Sequence, residues 1–183
     1  MTHQLVELAR KTLESYFQGE DFNPSKNIKE EYSEEKSSFV TITKKEELRG
    51  CIGSLEPIRG RPLWRDVQEN TLKAAFSDPR FPPLVKEELS NVKIEVSVLG
   101  KPREVKFSSE EELLKKLDKK QGVILINKYT GQTSTFLPSV WEHLTNKKGF
   151  MNNLSVKAGL PPEKWKDPQE MRVLVYNVEK YKE

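Results

Sequence analysis

From residue 92 to residue 98 the chain reads Val, Lys, Ile, Glu, Val, Ser, Val. Successive side chains of a strand point to opposite faces, so this alternation sets Val92, Ile94, Val96 and Val98 against a core. It turns Lys93, Glu95 and Ser97 toward water. Such a strand needs sheet partners and a cover on one face. Residues 39–43 are rich in β-branched and aromatic side chains, and a second extended stretch, "LRGCIGSLEP", follows after residues 44–47. The pair predicts a hairpin.

Helices are spaced around these strands. Leu5, Ala9, Leu13 and Tyr16 or Phe17 recur at helical spacing between a capping Thr2 and Gly19. Residues 20–36 are polar and read as a long connection. Pro62 opens a helix through Leu63, Val67, Thr71, Leu72 and Ala75, with Asp66 and Glu69 at its positive end. "SDPRFPPL" then stops it, because three prolines fix backbone angles and remove amide donors. Ser109 with Glu112 predicts a capping box. "GVILINKYTGQTSTFL" predicts two strands joined near residues 129–131, with 123–126 covered on both faces. Short helices are expected from Pro138 and over residues 150–158, and a last strand over 173–178. Hairpins mixed with helices give an α+β fold in place of a doubly wound parallel sheet.

The 183 residues suit one domain spanning 1–183. No run of about 18 apolar residues occurs, and the amino terminus lacks the pattern of a secretory leader, so a soluble cytoplasmic protein with no membrane contact is expected. The 31 basic and 28 acidic residues leave a net charge of +3, too small to attract a polyanion by itself. The 32% charged fraction, rich in Glu and Lys, matches the usage of heat-adapted proteins.

The single cysteine, Cys51, cannot form an internal disulfide. If residues 48–54 are extended, Leu48 and Ile52 share the core face while Arg49, Cys51 and Gly53 share the other. A cation beside a thiol favours thiolate, which makes Cys51 a nucleophile candidate and Arg49 the stabiliser of its thiolate or of a bound anion. Gly50 and Gly53 leave room for a ligand or another backbone. The competing reading treats Cys51 as a small buried hydrophobe. Only His3 and His143 could act as a base, and a Cys51–His143 dyad rests on residue type alone. Asp78 and Arg80, in the proline-rich loop, and Ser54 complete the ligand-binding set, against a structural Arg80–Asp78 pair. One cysteine and two separated histidines point to no metal site, and no motif points to a nucleotide or other cofactor. Lysine runs at 115–120 and 147–148 are interleaved with acids and indicate a solvated face more than a nucleic-acid surface.

"LRGCIGSLEP", "FSDPRFPPLVKEEL", "VKIEVSVLG", "GVILINKYTGQTSTFLPSVW" and "KAGLPPEKW" together resemble the AMMECR domain family, over nearly the whole chain and in that family's order. The resemblance implies a mixed, barrel-like β-sheet with flanking helices, in two unequal lobes sharing one core. It marks Arg49, Gly50, Cys51, Ile52 and Gly53 as a signature, with Arg80, Phe81 and Pro82 and then Phe136, Leu137 and Pro138 as further elements. It names no reaction, and so leaves open whether the protein is an enzyme. It suggests Memo-type and radical-SAM proteins as partners, although one cysteine cannot hold an iron–sulfur cluster here. Many relatives carry basic residues where this chain has Gln132 and Thr133, which puts anion binding there in doubt. The expected function is binding of a small-molecule or protein substrate in a cleft lined by the RGCIG motif, within a modification pathway. The alternatives are a non-catalytic adaptor and, third, an RNA-binding regulator.

Overall fold

The structure is a computed structural model and describes residues 2–183. In chain order its elements are α1 (Gln4–Gln18), α2 (Lys26–Glu31), β1 (Ser37–Lys44), β2 (Glu47–Gly53), α3 (Leu63–Phe76), β3 (Val92–Leu99), β4 (Arg103–Glu104), α4 (Glu110–Lys116), β5 (Gly122–Asn127), β6 (Thr133–Phe136), α5 (Lys147–Lys157), β7 (Met171–Tyr176) and β8 (Val178–Lys182). Short 3₁₀ turns occupy Lys86–Asn91, Pro138–Glu142 and Lys164–Lys166. The α+β class expected from the sequence holds. Two compact units form, one up to Leu99 with Glu179–Glu183, the other Gly100–Val178.

In the first unit the strand order is β2-β1-β3-β8, and β1 pairs antiparallel with both β2 and β3. Its core gathers Leu5, Ala9 and Leu13 of α1, Val67 and Ala74 of α3, Val40 and Ile42 of β1, and Ile94 and Val96 of β3. α1 follows the predicted spacing, but its cap is His3 and not Thr2: the His3 Nδ1 accepts from the Leu5 N–H at 3.3 Å. That imidazole also stacks on Tyr181 at 3.5 Å, which ties the start of α1 to β8. Gly19 closes α1 at φ 77°, the left-handed region that glycine enters without steric cost. The presumed long connection contains α2, capped by Ser25. The face of β3 expected to meet water does so only at Lys93; Ser97 is buried and Glu95 half-buried.

In the second unit the order is β4-β7-β5-β6. Trp165, Phe150, Met151, Leu154, Leu113, Val123, Leu125 and Val173 form a separate apolar cluster, with Trp141 stacked on Phe150 at 3.5 Å. β5 is covered on both faces as its apolar run required. The expected last strand ends at Tyr176, and a further strand, β8, follows and joins the first unit's sheet. Each sheet is open, with four strands and two edges, and each unit buries its own apolar cluster. The barrel-like description is therefore loose, and the one core implied by the resemblance gives way to two. No helix among the described residues is long and apolar enough to cross a membrane.

Candidate functional site

The RGCIG segment lies on β2, an edge strand of the first unit's sheet. A two-residue turn, Lys45 and Glu46, both with positive φ, joins it to β1, the geometry that matches strand twist in a tight hairpin. Gly53 faces Phe39, Ile52 faces Val40, Cys51 faces Thr41 and Gly50 faces Ile42; then the register slips, and Thr43 faces Leu48. Arg49 is the extra residue of a β-bulge.

The bulge overturns part of the face assignment. Ile52 and Gly50 share the core face with Val40 and Ile42, but the slipped register moves Leu48 to the opposite side, where it is 42% exposed. Gly50 lies so close to α3 that a Cβ would stand 2.1 Å from the Ala74 carbonyl oxygen. Gly53 leaves the space that the Phe39 ring fills, 2.2 Å from a notional Cβ. Both glycines are thus required by protein packing: at Gly50 another backbone takes the space, one of the two occupants expected, and at Gly53 a side chain takes it in place of either.

Cys51 is fixed from three directions. Its N–H donates to Asp78 Oδ2 at 2.9 Å, its carbonyl accepts from Arg80 Nη2 at 3.3 Å, and its Sγ lies 3.3 Å from Thr41 Oγ1. Asp78 and Arg80 form a two-bond pair, Nε to Oδ1 at 2.9 Å and Nη2 to Oδ2 at 2.7 Å. Together they meet the strand's free N–H and C=O as a neighbouring strand would, closing an edge otherwise open to association. Arg80 and the Cys51 N–H hold the buried Asp78 carboxyl well below the usual carboxylate range against the desolvation that opposes this. Asp78 raises the Arg80 guanidinium in return. Arg80 keeps 54% of its side chain exposed.

Arg49 turns away from the thiol. Its guanidinium binds both oxygens of Glu88, at 3.0 and 2.8 Å, and the carbonyls of Pro82 and Pro83 at 2.9 and 3.3 Å. Glu88 also receives Lys44 at 2.9 Å and the Val85 N–H, and with Arg49 as the main cause its carboxyl falls to about 2. Arg49 and the Asp78–Arg80 pair therefore pin the proline-rich loop and the following turn along the edge of β2.

Ser54 belongs to another network. Its hydroxyl donates to Asp66 Oδ1 at 3.0 Å; Asp66 Oδ2 accepts from the N–H and hydroxyl of Ser38 and from Asn70. Asp66, Asn70 and Ser38 are all buried, and this network ties the hairpin to α3. Sequence reading placed Asp66 only as a helix-terminal acid, and gave Glu88 and Thr41 no role. No local signal marks the pairing of Thr41 with Cys51, of Asp66 with Ser38 or of Glu88 with Arg49, which lie 10, 28 and 39 positions apart. His143 is exposed in the second unit, at the end of the Pro138–Glu142 turn. Gln132, at the departure from the family pattern, uses its amide to cap the end of α5, donating to the carbonyls of Ala158 and Gly159 at 3.3 and 3.2 Å. A cavity of about 370 Å³ in the first unit, lined by Tyr16, Phe22, Trp64 and Gln68 among others, includes none of the predicted site residues.

The family model described as AMMECR1 matches residues 6–181. The chain belongs to the AMMECR1 family. Similar chains include Protein NEQ441 of Nanoarchaeum equitans strain Kin4-M, 41% identical over 168 residues, spanning 90% of this chain and 91% of that one. A protein of Aquifex aeolicus strain VF5 is 37% identical over 183 residues, 98% of this chain and 91% of its own. The crystal structure of Uncharacterized Protein PH0010 from Pyrococcus horikoshii superposes with a TM-score of 0.84 at 33% identity, covering 98% of this chain and 89% of that chain.

Proposed function

We propose that the protein binds a small-molecule ligand on the sheet face beside Cys51 and works with partner proteins in a modification pathway, Memo-type and radical-SAM proteins being the partners the family resemblance suggests. The observation that carries this reading is the fixing of Cys51. Asp78 and Arg80 hold its backbone and Thr41 meets its sulfur, while the residue stays half-buried and not enclosed. A group held in one place loses little freedom when a ligand arrives. Arg80, half exposed next to the Cys51 carbonyl, offers the rest of its guanidinium to an anionic group.

Binding is favoured over nucleophilic catalysis because Arg49, the expected thiolate stabiliser, is committed to Glu88 and two prolyl carbonyls, and the charge of Arg80 is matched by Asp78. Iodoacetamide treatment of the folded protein, with Cys51→Ser as blank, tests the site. Modification within about tenfold of the unfolded chain's rate is expected for a half-accessible thiol. Protection until unfolding overturns the reading, and a rate–pH profile displaced below the ordinary thiol range turns it toward a nucleophile. Exposed Leu48 and Val85 support a second reading, a non-catalytic adaptor. A Cys51→Ser variant that binds its partners and restores all cellular function favours that one.

A further inference from the structure

The polar side of β3 shares the face that carries Cys51. Thr41 stands opposite Cys51 on one flank and opposite Glu95 on the other. Directly opposed residues point to the same face of a sheet, and strands lie about 4.8 Å apart, so thiol, hydroxyl and carboxylate form one row across three strands with its ends about 10 Å apart. Thiol and hydroxyl are in contact at 3.3 Å. Glu95 keeps only 19% of its side chain exposed and accepts from the hydroxyl of buried Ser97 at 3.3 Å. Its other oxygen meets Lys182 Nζ at 2.9 Å, and the Lys182 side chain is 68% exposed.

Resting on the reading that the Cys51 face is the binding surface, we infer that this row is an amine site. Its ligand is a small molecule with a protonated primary amine, which takes the place of the Lys182 ammonium on Glu95 while its body lies over Thr41 and Cys51. Lys182 displays the chemistry: an ammonium approaches this carboxylate at ion-pair distance. A carboxylate so little exposed favours a cationic partner, whereas an exposed lysine gains little from holding its place, so exchange is easy. Ser97 fixes the carboxylate while the ammonium changes. Arg80 stands past the other end of the row, beyond Cys51, so an anionic group on the same ligand would point there.

Three thiol reagents of equal reactive group test this: methyl methanethiosulfonate, its cationic 2-aminoethyl analogue and its anionic 2-sulfonatoethyl analogue. In each, the Cys51 thiolate attacks sulfur and methanesulfinate leaves. Rates are taken on the folded protein and divided by those of the unfolded chain. The cationic reagent should gain about fivefold over the anionic one in the folded state, as expected for a nearby carboxylate partly offset by Lys182. Glu95→Gln should abolish that preference and Lys182→Met should increase it, with the neutral reagent reporting that the fold is intact. Should Glu95→Gln fold poorly, Lys182→Met decides. If Cys51 reacts with all three but neither variant changes the ratio, the amine site is wrong and the binding surface stands. If folded Cys51 refuses all three, the surface itself is wrong and the amine site falls with it.

Discussion

On the edge strand β2 of the first unit, the Cys51 carbonyl receives Arg80 at 3.3 Å; on the edge strand β6 of the second, the Thr135 carbonyl receives Lys157 at 3.0 Å. At β2 the cation comes paired. Asp78 takes the adjacent N–H, Arg80 takes the carbonyl, and each neutralises the other, so the edge is met at both donor and acceptor. At β6 the lysine stands 5.0 Å from the Phe136 ring centre with no carboxylate among the described residues in ion-pair contact, and desolvation lowers its amine below the ordinary range. An edge closed by a pair resists change at either member, because removing one leaves the other charged and unmatched. An edge met by one long cation tolerates its loss.

The largest expected effect is at Gly50. Gly50→Ala drives a methyl into the Ala74 carbonyl, and neither α3 nor β2 can shift without disturbing the core, so a loss of about 3 kcal/mol is expected in urea denaturation. A loss within error would mean β2 and α3 are not in close contact. Asp78→Ala follows, at about 2–3 kcal/mol, since it orphans the Cys51 N–H and unpairs Arg80. Equal stability for that variant and wild type would break the contrast with β6.

Acid sharpens the contrast next. The folded Glu88 carboxyl lies near 2 against an ordinary 4.5, so its contribution is complete above pH 4.5 and is lost as pH falls toward 2. Asp78, also depressed, acts in the same sense. Glu88→Gln should flatten the stability–pH curve over that window, and an unchanged slope would remove Glu88 from the edge lock. Lys157→Met should change stability least, within about 0.5 kcal/mol at pH 7. Because the folded Lys157 amine is lowered, stability should rise slightly as pH climbs toward the ordinary lysine value, and Lys157→Met should erase that rise.

Much of the local architecture was legible. Val92, Ile94 and Val96 are core residues because a period of two admits no other face, and Gly19 ends α1 because an unbranched left-handed turn suits glycine. The candidate site was legible as a membership and not as an arrangement. Cys51, Asp78 and Arg80 do converge, whereas Arg49, expected beside the thiol, lies on Glu88 instead. Alternation cannot foresee a bulge, which depends on how β2 aligns with β1.

The sequence by itself determined the hairpin, the α+β class and the place of the lone thiol on the non-core face of β2, since these follow from near-neighbour periodicity and turn chemistry, and its motifs carried the family resemblance. Only the tertiary structure decided that Leu48 faces out, that Gly50 is a packing requirement, and that Glu95 shares a row with Cys51. Those outcomes turn on strand register and on partners dozens of residues apart, where a slip of one position exchanges the faces and no local pattern records the choice.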